Sequence, residues 1–565
     1  MTRSIHAMYL ITHLKKYLLL TLSVFLTISV QAEPNADSTN YGHNRYTESI
    51  SGNAPILILV PDGGTIVPSA DANSTPAKSP DRSVKLFARK LIDEINCLTG
   101  HSPHAVFNHL HPSYLDVKSP LKKPDDKLRS NALREYREAK SAAAKKVLSA
   151  KGIVVDVCVL DNRHGRIAAL LKEARDAKGS ARNFAISTLA RGIIDEVNRQ
   201  ASINLYGRVK GKINVGIFRV KKSMSNSAIY AMRIDPNIRS IGIVTSQVAE
   251  GILDELDVIV LPGGGGSAQV RDLGKEGSKK VESFVERGGG YVGFCAGAYT
   301  GAERTAGKSS STLNLLAGVH PNHGGEGWAR GAAMTQFENT KALTDLLPEY
   351  NDADSVFYAY NQGPLLDMKD VPAVEDYVVL QRFASDVHHK IPDAKGIMPG
   401  RIALMLGDRK AGKVVLCSAH PEATPGMRWM APRMVYWSLG RQGVSYAPQY
   451  VRPRQYQDEA MYDRAWNRAT DTGLKLAMDP AKPTAQRLAA LKKVVANNPR
   501  RFKSRADLEA LLNDREKRIR AAAADAAIEL DFFEATVILK DAYVNEQDDG
   551  VRKRIGEAIE VLDVL

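Results

Sequence analysis

Cys295 stands in the run Gly293-Phe294-Cys295-Ala296-Gly297, a cysteine flanked by very small residues. The run follows a short apolar stretch, 291–294, that reads as a buried strand. A sharp strand-to-helix turn there strains the backbone of the central residue and exposes its side chain above the sheet, so the neighbours must be small. Cysteine at such a turn is a candidate nucleophile. It also sits at the start of the next helix, whose positive end favours a thiolate. The Ala296 N–H is a candidate oxyanion donor. A second would come from the glycine turn 263–265, centred on Gly264, which closes a neighbouring strand. A cysteine nucleophile needs a base, and the base an orienting group. His420-Pro421-Glu422 supplies both just beyond the apolar run 413–417, giving a Cys295, His420, Glu422 triad in chain order.

These residues require strands that end together. Residues 257–261 form a β-branched run stopped by Pro262 and four glycines, and 278–287 have helical apolar spacing closed by Gly288 to Gly290. A further buried strand opens at Ile213, and strands alternate with helices through Gly440. That alternation predicts an α/β fold with a doubly wound parallel sheet, in which ligands bind at the carboxyl ends of strands.

Residues 212–447, about two-fifths of the chain, resemble the class I glutamine amidotransferase-like fold, and within it the biotin-protein ligase N-terminal family. The resemblance rests on L-P-G-G at Leu261, G-G-G-Y-V-G-F-C-A-G-A-Y at Gly288, W-A-R-G at Trp328, Y-N-Q-G-P at Tyr360 and H-P-E at His420. It implies catalysis by the three residues above, with Tyr299, Arg330, Tyr360 and Asn361 as substrate-binding candidates and loop roles as their alternative. One departure stands out: glutamine amidotransferases usually carry glutamine four residues after the cysteine, where this chain has Tyr299. That weakens the case for glutamine as substrate. No synthetase or ligase domain accompanies the segment, so neither ammonia transfer nor biotinylation follows from the resemblance.

The length of 565 residues corresponds to about four domains. The net charge of +14 invites anionic partners, but no basic cluster with interleaved aromatics points to nucleic acid. Arg3, Lys15 and Lys16 precede an apolar run, 17–30, followed by Val30-Gln31-Ala32. This reads as a signal peptide over 1–32, too short for a comfortable membrane span, and predicts export to the periplasm or cell envelope with no integral membrane segment after cleavage. Four cysteines form no disulfide framework. Cys97 and Cys158 are a conceivable pair, and Cys417 lies close enough in sequence to His420 to approach Cys295. No residue pattern calls for a metal or cofactor; His320, His323, His388 and His389 read as loop residues.

Residues 33–53 are polar and read as a flexible leader. An α/β domain follows over 54–210, and its strand leading into Pro61-Asp62-Gly63-Gly64 faintly resembles N-formylglutamate amidohydrolases. That family has P-H-G-G at this place, a later R-x-x-x-D-x-N-R and a D-x-H-G-H motif. Here Asp62 replaces the histidine, 111–118 stands for the second motif, and 156–160 has lost both histidines of the third. The resemblance therefore implies a degenerate, metal-free domain, with His104, His109, His111 and His164 on the surface or in hydrogen bonds. After a linker, 448–465, the chain is helical over 466–565. Ile519 with Val551, Asp525 with Glu557 and Leu530 with Leu562 repeat at a spacing of 32 residues and resemble HEAT-type helices. Those helices would either bind a protein partner or pack on the α/β domain.

The leading expectation is an exported cysteine hydrolase or amidase acting on a small-molecule, peptide or cell-envelope amide. The rival is a non-catalytic envelope binding or scaffold protein with the same fold.

Overall fold

The computed structural model describes residues 38–42, 45–66, 83–111, 127–158, 165–221, 223–303, 312–322, 331–350, 354–369, 376–387, 396–497 and 505–564. The segment read as a signal peptide, together with His164, His323, Arg330, His388 and His389, lies outside them. Among the described residues, no helix is long and apolar enough to cross a membrane.

The first sheet has five strands in the order β1-β2-β4-β3-β5: β1 (Ser38–Tyr41), β2 (Thr47–Ser51), β3 (Ala54–Val60), β4 (Pro103–Asn108) and β5 (Ile153–Asp156). β3 is parallel to β4 and β5, whereas β2 runs antiparallel to both β1 and β4. The expectation of a flexible leader over 33–53 is corrected here, since 38–41 and 47–51 are strands. The reason is Glu48. The strand T-E-S-I-S looks polar, but Glu48 points inward and is wholly buried against Arg89, which donates to its two oxygens at 3.0 and 2.6 Å. Burial would raise the Glu48 pKa, but Arg89 and a 2.7 Å contact with His109 outweigh it and hold the carboxyl well below its usual range. For His109, burial prevails over the Glu48 hydrogen bond and lowers the pKa to about 4, so its ring is neutral at pH 7.

The second sheet runs β12-β11-β14-β15-β16-β9-β8-β6-β7. Its parallel half consists of β6 (Ile213–Phe218), β7 (Ile238–Ile243), β8 (Val258–Leu261), β9 (Gly290–Phe294) and β16 (Gly412–Cys417). These strands are almost wholly buried, as continuous apolar runs between helical layers must be. The sheet is doubly wound only that far. Beyond β16 it continues antiparallel through β15 (Ile402–Arg409), β14 (Tyr377–Phe383), β11 (Ala332–Asn339) and β12 (Ser355–Asn361). A side pair, β10 (Val319–Asn322) and β13 (Leu365–Met368), joins through β15. Alternating stretches such as A-A-M-T-Q-F-E-N fit this half, which a strictly parallel expectation overlooks.

Among the described residues the C-terminal region has six α-helices, from Arg464–Met478 to Asp549–Leu562, around a core that includes Leu491, Leu508, Leu511, Ile519, Leu539 and Ile555. The 32-residue spacing recurs there, with Ile519, Val551, Leu530 and Leu562 buried in one cluster. The segment 448–465 is no free linker. β17 (Ala460–Met461) pairs with β11, and the Arg452 N–H donates to Gly426 O at 2.9 Å. Its prolines and arginines suggest a spacer, but the Arg452 side chain donates to Gln449 O at 2.9 Å and to Asp531 Oδ1 at 2.8 Å. The first domain is tied in as well: Arg219 meets Glu94 at 2.7 Å, and Lys85 meets Asp541 of the helix Thr536–Asn545 at 3.1 Å. All four cysteines are free thiols, so Cys97 and Cys158 are not bridged.

Candidate active site

β9 ends at Phe294, and the helix Ala296–Gly301 begins two residues later, so Cys295 alone makes the turn. Its φ of 49° and ψ of −97° are unusual for a residue with a Cβ. Such a conformation costs on the order of 1–3 kcal/mol and persists only where its surroundings impose it. The impositions are visible. The Cys295 N–H donates to Cys417 O at 2.7 Å, extending the β9–β16 ladder by one residue. The Tyr291 hydroxyl, deep in the core, donates to Gly297 O at 2.8 Å.

The small residues around the turn have specific reasons. A Cβ on Gly293 would lie 2.4 Å from Gly297 O, and one on Gly297 would lie 2.0 Å from Leu261 O. Both collisions are with backbone, which has no rotamer to escape into. Gly297→Ala is therefore expected to force β8 and the elbow apart. The result is a loss of about 1–3 kcal/mol or more in urea denaturation together with a changed Cys295 environment; an unchanged midpoint would contradict the close approach.

His420 follows β16 and is held by its backbone: its N–H donates to Ala359 O at 2.8 Å, and its carbonyl accepts the Thr424 hydroxyl at 2.7 Å. Thr424 in turn accepts the Ala359 N–H at 3.0 Å, locking the turn to β12. The imidazole lies against the glycine turn after β8, where a Cβ on Gly263 would sit 2.4 Å from His420 Cε1. His420 Nδ1 meets Glu422 Oε1 at 2.9 Å, and both side chains are buried. Burial alone would depress the imidazolium. Attraction to Cys295 and Glu422, with the Glu422 hydrogen bond, outweighs it and raises the His420 pKa to about 9. Glu422 Oε2 is buried and has no hydrogen-bond partner among the described residues, which concentrates its acceptor capacity on His420.

Cys295 is 5% exposed, and its Sγ lies 3.3 Å from Asn361 O. Beside this contact the Tyr299 hydroxyl donates to Gln362 O at 3.2 Å. The turn after β12 thus passes over the sulfur. Gln362 adopts φ 59°, and Gly363 packs so tightly that a Cβ would fall 1.7 Å from Ser418 O.

The structure thus brings Cys295, His420 and Glu422 together with Ala296, Tyr299 and Asn361. Ala296 is the first residue of its helix, so its N–H has no intrahelical acceptor. That helix has only six residues, so the main positive charge beside the sulfur is His420 rather than a helix dipole. Gly264 lies in the glycine turn with φ 144°. Asn361 contributes its backbone carbonyl. Tyr360, expected as a substrate contact, is wholly buried; its hydroxyl donates to Gly363 O at 2.8 Å and its ring packs edge-on against Phe383. It is a core residue, because the strand alternation turns it inward. Two residues escaped the sequence reading. Thr424, in H-P-E-A-T, is legible only once the turn is seen to fold back on β12. Gln269 joins the glycine turn to the elbow helix, donating to Pro262 O at 2.6 Å and accepting the Thr300 hydroxyl at 3.0 Å.

Residues 249–434 match the family described as "Biotin-protein ligase, N terminal". No curated protein matches the chain. Among solved structures, one titled "Crystal structure of glutamine amidotransferase" is similar at 20% identity, covering 40% of this chain and 98% of its own, with a TM-score of 0.28. PurLQS from Thermotoga maritima is similar at 18% identity, covering 40% of this chain and 97% of its own, with a TM-score of 0.27.

Proposed function

We propose that this chain, which carries a biotin-protein ligase N-terminal domain of the amidotransferase-like α/β type, is an exported cysteine hydrolase of amides. The observation that carries the reading is the placing of Cys295 at a strand end beside the buried, hydrogen-bonded pair His420 and Glu422, whose imidazole is held above its ordinary pKa by its attraction to Cys295 and Glu422. In the proposed cycle Cys295 Sγ attacks the acyl carbon and its proton resides on His420. The tetrahedral oxyanion is received by the Ala296 N–H and by a glycine of the turn near Gly264. His420 then protonates the departing amine, leaving a thioester on Cys295, and water activated by His420 releases the acid. Glu422 keeps Nδ1 protonated and Nε2 aimed at the sulfur. Tyr299 and the Asn361–Gln362 turn narrow the entrance. The substrate class is a peptide or cell-envelope amide, as the reading of export implies.

The experiment is hydrolysis of a panel of acyl p-nitroanilides and peptide amides, with the Cys295→Ala variant as control. Cleavage by the intact protein that vanishes in the variant supports the reading. Cleavage equal in both, or none across the panel, favours the binding-protein alternative.

The pH dependence follows from the raised His420 pKa. A group raised from 6.5 to about 9 stabilises the folded state fully below pH 6.5 and loses that contribution as the pH rises through about 9. If the imidazolium is the working form, kcat/KM falls on the alkaline side near pH 9. Glu422→Gln removes one attraction, so that limb should move to lower pH. A limb that stays put would remove Glu422 from the series.

A further inference from the structure

We infer that the C-terminal helical unit is the clamp that positions the His420–Glu422 turn, with Asp531 as its positioning residue. The inference rests on the reading of His420 as the working base. Asp531 lies in the bend between the helices Lys517–Glu529 and Thr536–Asn545, is 1% exposed and adopts φ 44°. Its carboxylate leaves its own unit. Oδ2 accepts the Gly426 N–H at 2.6 Å and Oδ1 accepts Arg452 at 2.8 Å. Gly426 is six residues beyond His420, at φ 73°, where a Cβ would strike the Gln455 side chain at 2.5 Å and Arg452 at 2.8 Å.

The grip is reinforced on both sides. Arg452 also donates to Glu529 O at 3.2 Å, and Gln455 donates to the same carbonyl at 3.0 Å. Arg428 lies 5.0 Å over the Phe533 ring, and the Trp429 indole donates to Gly426 O at 2.9 Å. The turn carrying His420 is therefore held at one end by Ala359 and Thr424 and at the other by groups about a hundred residues away in sequence. A buried carboxylate with a strained backbone and two charge-assisted bonds is more than a helix appendage needs for solubility. The helix that follows places Asp541 against Lys85 of the first domain, so the clamp itself is anchored at its far end.

Two readouts on Asp531→Ala test this. The first is the Nδ1–H proton of His420, seen in histidine-15N-labelled protein and assigned by its loss in His420→Ala. The second is the ratio of Cys295 alkylation rates at pH 6.5 and 9. In Asp531→Ala the proton should broaden or move upfield as the imidazole loses Glu422, and the ratio should fall roughly tenfold toward the His420→Ala value, with circular dichroism unchanged. In a His420→Ala background Asp531→Ala should add nothing to the ratio. Asp531→Asn keeps one acceptor and should give about a threefold fall, and it serves if the alanine variant does not fold. An unmoved Nδ1–H proton in folded variants would overturn the clamp. A proton that responds while wild-type labelling behaves as an ordinary thiol would leave the clamp standing and sink the hydrolase reading instead.

Discussion

Replacing His420 by alanine is expected to lower the turnover of any amide the protein cleaves by roughly 10²–10⁴-fold, the range that a positioned general acid–base supplies. Two effects combine. The departing amine loses its proton donor, and the thiol loses the imidazole whose attraction to Cys295 raises the His420 pKa. What remains around Cys295 is a buried site with the Asn361 carbonyl 3.3 Å from the sulfur and no imidazole to take up the thiol proton. The loss should appear in kcat more than in KM, because the imidazolium acts on the leaving group rather than on the bound ground state. Rates on a panel of p-nitroanilides check this. An intact kcat would mean that the chemistry lies elsewhere.

The second large effect is on folding. Arg89→Met removes both guanidinium donors from Glu48 and leaves a carboxylate buried in the first sheet, with His109 as its remaining side-chain hydrogen-bond partner among the described residues. Breaking one side of such a pair costs roughly 3–5 kcal/mol, because the remaining charge is uncompensated. The Glu48 pKa is depressed in the native protein, so its contribution is present above its ordinary value and is lost as the pH falls through and below it. Without Arg89 that dependence reverses, and mild acid should partly restore the variant. Replacing both residues, as Glu48→Leu with Arg89→Met, should recover most of the loss. Urea denaturation at pH 7 and pH 5 reads all three outcomes. A variant as stable as the parent would mean that the pair contributes little.

The elbow was legible in the sequence because its glycines answer to backbone collisions that follow from the turn itself. The His420–Glu422 pair was legible because two residues of separation on a tight turn keep imidazole and carboxylate within reach. β2 was hidden because its inward residue is an acid whose partner, Arg89, lies 41 residues away. Tyr360 was misplaced because a conspicuous Y-N-Q-G-P run gives no sign of which side chains the strand turns inward. The antiparallel half of the second sheet, and the grip of Asp531 on Gly426, depend on long-range pairing that no local pattern records.

Activation of Cys295 by His420 is the central claim, and the pH dependence of Cys295 alkylation by iodoacetamide, with the label located by mass spectrometry, tests it most directly. An unperturbed thiol has a pKa near 8.5 and is roughly 1% ionised at pH 6.5. The account predicts labelling that persists below pH 7 in the intact protein and disappears there in His420→Ala. Labelling that rises only above about pH 8, with the same profile in both proteins, would contradict it.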